Sequence, residues 1–168
     1  MTAQEVEQQI RAAFPAKPFS GVVTHGCTCE ECTDLEASFR DQSWNTVSEE
    51  TMTAHYDGLP LLSDEALVAF LPAWLSRALS DLDDAHQPCR EFALYFLALY
   101  LKSSPSRAFV HSTETKRLRR LYGIFSVEQV LVVEQWLKFI QEYAMMTDWD
   151  LESIDGALGI LDQVLGRT

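Results

Sequence analysis

Apolar positions recur at helical spacing in almost every segment of this chain that carries them, and strand-like alternation is nearly absent. Val6, Ile10 and Phe14 succeed one another at four-residue steps and predict a first helix over 2–14, ended by Pro15 and Pro18. Pro15 to Gly26 reads as a loop, in which Val22 and Val23 suggest a short extended piece, and a short helix is expected over Glu30 to Phe39. Trp44 sits in a connector. Ser48 ahead of Glu49 and Glu50 marks another short helix, stopped near Asp57-Gly58 and Pro60.

Ser63-Asp64-Glu65 is a sharper start signal. Behind it Leu67, Phe70, Leu71, Trp74, Leu75, Ala78, Leu79 and Leu82 sustain the i, i+3, i+4, i+7 pattern, ending in the acidic stretch Asp81 to Asp84. Pro72 inside this pattern predicts a kink or a tightened turn. Pro88 suits the first turn of the next helix, and Phe92 to Leu101 is apolar on nearly every face, as expected of a buried central helix. Its alanines and leucines favour helix over strand. Ser103 to His111 reads as a loop, and Thr115 to Tyr122 as a short basic helix closed by Gly123. Ser126 and Gln129 form a capping box that opens a long helix to about Met145, with Val130, Val133, Trp136, Leu137, Ile140 and Tyr143 on one side. The last helix spans Asp148 to Leu165, with Ile154, Ala157, Leu158, Leu161, Val164 and Leu165 as its stripe and Gly166 as its C-cap. The pattern predicts an all-α chain: one domain over 1–168, a single compact bundle of about six or seven helices around a central apolar helix.

Composition changes this picture little. With 168 residues and a hydrophobic fraction of 47%, the chain can build a core that needs neither disulfides nor a metal. Charge changes it more: 25 acidic residues against 13 basic ones give a net −12. Such a field opposes nucleic acid and anionic membranes and favours a basic protein partner, although solubility alone also accounts for it. Met1 to Val6 shows no leader-like pattern and no apolar run is long enough to span a membrane. The expectation is a cytoplasmic protein with reduced cysteines.

One stretch carries chemistry. His25-Gly26-Cys27-Thr28-Cys29-Glu30-Glu31-Cys32 puts three thiols and an imidazole within eight residues. Thiolate and imidazole are the ligands that tetrahedral zinc prefers, which makes His25, Cys27, Cys29 and Cys32 candidate metal ligands and Zn2+ a candidate cofactor. Four ligands from so short a stretch are cramped, and His86 with Cys89 forms a second small group that could add one. Two other readings stay open: ordinary structural thiols at the head of a helix, or redox chemistry, which a helix N-terminus assists and the adjacent Glu30 and Glu31 oppose.

Two acidic groups are candidate partner-binding surfaces: Asp81, Asp83 and Asp84, and the set Asp148, Asp150, Glu152 and Asp155 around Trp149. Neither has the spacing of a calcium loop, helix-dipole complementarity explains the second, and an exposed tryptophan among carboxylates suits a basic partner. Lys116, Arg117, Arg119 and Arg120 form a basic run that reads either as a phosphate patch or as an island paired with the protein's own acids. His55 and His111 stand alone. No nucleophile elbow, phosphate loop or metalloprotease motif is present, so no catalytic residue is assigned, and an enzyme with a diffuse site is left open.

The order of motifs resembles a family of small, uncharacterised bacterial all-helical proteins with a Cys-x-x-Cys region near the N-terminus. The resemblance is carried by Cys29-Glu30-Glu31-Cys32 and Trp44, then Leu62 to Ala66 and Phe70 to Leu75, and finally Phe125-Ser126-Val127-Glu128-Gln129. It implies a helical fold over most of the chain and transfers no catalytic residue. The functional expectation is an acidic binding protein without catalysis, of the bacterial immunity or antitoxin type, that occludes a basic partner. The alternative is a zinc-stabilised structural or regulatory helical domain.

Overall fold

The computed structural model describes residues 1–84, 86–98, 120–146 and 148–167, with backbone only at 98 and 148–150. Among them the chain forms α1 (Ala3–Ala13), α2 (Glu30–Phe39), α3 (Glu49–Ala54), a 3-10 turn (Leu59–Leu61), α4 (Asp64–Ala78), α5 (Pro88–Ala98), α6 (Val127–Tyr143) and α7 (Asp148–Val164). Residues 120–122 are also helical. The described residues contain no strand; the nearest approach to a sheet is one antiparallel bridge between Thr24 and Leu62. The chain is all-α, as its periodicity predicts, and none of the described helices is long and apolar enough to cross a membrane.

Local chemistry explains the starts. Ser63 and Ser126 each accept a hydrogen bond from the third residue of their helix, and Gln129 reaches back to the Ser126 N–H to complete the capping box. Thr2 and Glu5 form a second capping box at α1, a signal written in the sequence as T-x-x-E that hydrophobic spacing alone passes over. At the far end Gly166 has a φ of 68°, and the Arg167 N–H reaches the Asp162 carbonyl while the Gly166 N–H reaches Gln163. That is a left-handed cap in which glycine avoids the Cβ penalty.

α4 packs on α5 and α1; α5 packs on α3, the 3-10 turn and α7; α6 packs on α1 and α7. α5 is therefore central, yet Glu91 and Tyr95 reach solvent from it. α4 is enclosed more completely, with Phe70, Leu71, Trp74 and Leu75 fully buried, and it runs through Pro72 as one helix. Phe39 stands at the meeting point, stacked on Trp74 and edge-on to Phe70.

Among the described residues, four large aromatic side chains set their buried polar atoms on backbone carbonyls. Trp44 Nε1 donates to the Phe14 carbonyl at 2.9 Å, Trp74 Nε1 to Tyr56 at 2.7 Å, Trp136 Nε1 to Leu75 at 3.0 Å, and Tyr122 OH to Leu97 at 2.8 Å. Each bond ties two separate elements together and removes the cost of burying an unpaired donor.

Two helices stop before the spacing suggests. α4 ends at Ala78, not in the stretch Asp81 to Asp84, because the buried Arg90 guanidinium donates to the carbonyls of Asp81 and Asp84 and holds them in a loop. α6 ends at Tyr143; Ala144 turns extended, and the Met145 N–H donates to Leu82. The predicted loop over Ser103 to His111, residues 99–101 of the apolar run, and Lys116, Arg117 and Arg119 lie outside the described residues.

Glu134 is the buried carboxylate of α6. Both its oxygens accept from the Arg167 guanidinium, at 2.8 and 3.0 Å, and Lys138 Nζ lies 2.6 Å away. The hydrogen bonds from Arg167 hold its carboxyl below the usual range, against burial that pushes it up, and Lys138 adds to the lowering. A depressed carboxyl contributes stability above its unfolded pKa, about 4.3, and loses it as the pH falls through the lower folded value. Glu134→Gln should lower stability by about 1–2 kcal/mol at pH 7. Denaturant titrations of both proteins should show that gap narrowing below about pH 4; a gap independent of pH would contradict the charge-based account.

Candidate thiol site

The site is built from a loop and the head of α2. Gly26, with a φ of 83°, reverses the chain so that Cys27 to Cys29 return over the helix start. The loop is held on two sides. The Glu36 carboxylate accepts the N–H groups of Val23 and Thr24 at 2.9 and 3.0 Å. On the other side the His25 N–H donates to Leu61, the Ser63 N–H donates to Val23, and the Ser63 hydroxyl donates to Val22. Partial burial raises the Glu36 pKa, but the Val23 and Thr24 N–H groups, with Arg40, outweigh it and leave the carboxyl below its usual range.

Glu36 stands four residues after Cys32, so the anchor and the sulfur share one face of α2. This brings Cys27, Cys29 and Cys32 together, with all three sulfurs within 4.8 Å of one another. Cys27 and Cys32 are joined as a disulfide, with Cα atoms 6.0 Å apart. The Cys29 sulfur lies 2.8 Å from that of Cys27 without being bonded to it. Cys29 is the N-cap residue of α2, but its thiol takes no part in the cap; its carbonyl instead accepts from the N–H and hydroxyl of Thr33. Cys27 and Cys29 are exposed, and Cys32 is buried.

The turn forms a ridge between two open hollows. One, of about 510 Å³, is lined by Val22, Thr24, Cys27, Cys32, Glu36 and Arg40 among others. The second, of about 530 Å³, is lined by Cys29, Glu30, Glu31, Asp34, His55 and Asp57 together with apolar residues, and no lysine or arginine lines it. His55 is fixed there by Ser38, whose Oγ lies 3.0 Å from Nε2.

The other residues singled out from the sequence lie elsewhere. His25 does not join the sulfurs; its side chain lines a cavity of about 260 Å³ with Asp64, Phe96 and Arg120. Thr24, paired with Leu62, lines the hollow of Cys27 and Cys32, whereas the next residue, His25, has its N–H on the Leu61 carbonyl and lines the other cavity. His86 is exposed and Cys89 is buried, where the loss of water around it pushes its thiol up to about 11 against an opposing pull from Arg77. Asp81, Asp83 and Asp84 are exposed in the loop around Arg90. Glu152 and Asp155 are exposed on α7, Asp155 accepting from Gln141 at 2.7 Å, while the side chains of Asp148, Trp149 and Asp150 lie outside the described residues. The acidic hollow beside Cys29 was not marked by charge runs. Glu30 and Asp34 at i, i+4 hinted at it, but Asp57 arrives only through folding.

No family model, curated protein or solved structure matches the chain.

The loop's dependence on Glu36 is open to measurement. Glu36→Ala should raise the hydrogen-exchange rates of the Val23 and Thr24 amides by about tenfold or more, and Glu36→Gln, which keeps a neutral acceptor, by less. Unchanged exchange in Glu36→Ala would remove the carboxylate as the anchor.

Proposed function

We propose that the turn from Cys27 to Cys32 is a thiolate site for a soft divalent cation, zinc first, serving a structural or regulatory role. The observation that supports it is the convergence of three cysteine sulfurs within 4.8 Å on a loop anchored from two sides. Tetrahedral zinc with Zn–S bonds of about 2.3 Å needs sulfurs about 3.8 Å apart, so the reduced turn needs only small side-chain adjustments to hold it. When bound, zinc would hold the three thiolates at one centre and join the loop to the first turn of α2. Three protein ligands leave a fourth position for water or for a group brought by a partner. The disulfide and the metal are alternatives, because Cys27 and Cys32 cannot serve both at once.

The test uses reduced protein. One zinc per chain should bind, and cobalt in its place should give a sulfur-to-metal charge-transfer band. Cys27→Ser and Cys29→Ser should each weaken binding by about tenfold or more. Substoichiometric zinc, together with a melting temperature indifferent to chelator, would sink the reading.

A second reading is favoured by the hollow next to Cys29, where four carboxylates (Glu30, Glu31, Asp34 and Asp57) meet without a lysine or arginine among the lining residues. It makes the protein an acidic binding module of the immunity or antitoxin type, with a basic segment of a partner as its target and occlusion as its mechanism. Co-expression with the product of the neighbouring open reading frame tests this. The pair should associate, raised salt should weaken the complex, and Glu31→Lys with Asp34→Lys should break it. A neighbour that is not toxic, or that does not bind, counts against it.

A further inference from the structure

We propose that the three sulfurs form a thiol–disulfide relay in which Cys29 takes in oxidising equivalents and the Cys27–Cys32 pair stores them. The relay shares its sulfurs with the zinc site but goes beyond it and runs without metal, so either can fail without the other.

Three observations carry it. Cys29 is exposed and free, and its sulfur lies 2.8 Å from that of Cys27, which is already bonded to Cys32. A nucleophile is therefore in contact with the disulfide atom that it would attack, and access to that atom is one of the conditions of exchange. The two ends of the chain of sulfurs also differ in environment, since Cys29 is open to water and Cys32 is 2% exposed. Finally, the loop that carries Cys27 is held to α2 by Glu36, so the Cys27 sulfur stays within reach of both neighbours.

The oxidant is a small-molecule disulfide, RSSR. The Cys29 thiolate attacks one of its sulfurs, and RS⁻ leaves and takes a proton. The Cys27 thiolate then attacks the Cys29 sulfur of this mixed disulfide, the second RS⁻ leaves and is protonated, and a Cys27–Cys29 bond results. Cys32 gives up its proton and attacks the Cys27 sulfur; the Cys27–Cys29 bond breaks, and Cys29 leaves as a thiolate that takes a proton. Two thiols of the turn have become one disulfide and RSSR has become two RSH, a transfer of two electrons. The last step favours the state seen in the structure. In that state the buried Cys32 sulfur is bonded within the turn and the exposed Cys29 is the free thiol, open to water. In the zinc-loaded protein the same oxidation would consume two of the three thiolate ligands and release the ion.

The experiment takes reduced protein stripped of metal, exposes it to glutathione disulfide, traps thiols by alkylation at intervals and maps the peptides. The final product should carry the Cys27–Cys32 bond with Cys29 alkylated, and the first adduct should sit on Cys29. Cys29→Ser, which places a preferred N-cap residue on α2 and should leave helix content by circular dichroism unchanged, should slow closure by about tenfold or more. Cys32→Ala should arrest oxidation at a glutathione adduct on Cys29 or a Cys27–Cys29 bond. Closure of Cys29→Ser at the wild-type rate, or a first adduct on Cys27 in the wild-type protein, would overturn the relay. Zinc uptake is measured separately on the reduced protein before oxidation; its absence would count against the metal reading alone.

Discussion

The carboxylate of Glu36 is the constraint on which the N-terminal half depends. Its grip on two successive backbone N–H groups of the loop fixes where Val23 and Thr24 lie against α2. Val23 is fully buried, so the grip also sets one wall of the core. From there the chain is bonded onward to Leu61, Leu62 and Ser63, which places the start of α4. Loop, α2 and α4 are thus one unit, and the sulfurs sit where that unit turns back on itself. A carboxylate with two charge-assisted bonds is well suited to this, because its desolvation is offset by donors that would otherwise be unpaired.

The rest of the bundle uses a second device. Its core is rich in aromatic side chains, and rings alone pack in several ways of similar energy. The hydrogen bonds from Trp44, Trp74, Trp136 and Tyr122 to single named carbonyls select one arrangement. Apolar area supplies the driving force, and these directional bonds supply the register.

Much of the fold was legible because helices announce themselves locally. Ser63 and Ser126 mark their own starts, and Gly166 marks a stop, through chemistry confined to a few neighbouring residues. The early ends of α4 and α6 were not legible, since they depend on Arg90 and Leu82 reaching across from elsewhere. The site divides the same way. Cys27, Cys29 and Cys32 are close in sequence and close in space, so their spacing was informative. His25 is equally close in sequence, but the loop's pairing with Leu61 and Leu62 turns it toward another cavity. Glu36 gave no sequence signal at all: a glutamate in the middle of an amphipathic helix looks like any solvated residue until the loop folds over it.

The burial of Cys89 has a consequence for how this protein can be watched. Its thiol is buried at the head of α5, where loss of water raises its pKa, while Cys29 stands in the open. A thiol reagent will therefore meet two kinds of cysteine governed by different motions. Modification of Cys29 follows the chemistry of the surface turn, whereas modification of Cys89 must wait until the head of α5 opens. One labelling time course, read at two peptides, separates the behaviour of the surface turn from the opening that uncovers the head of α5.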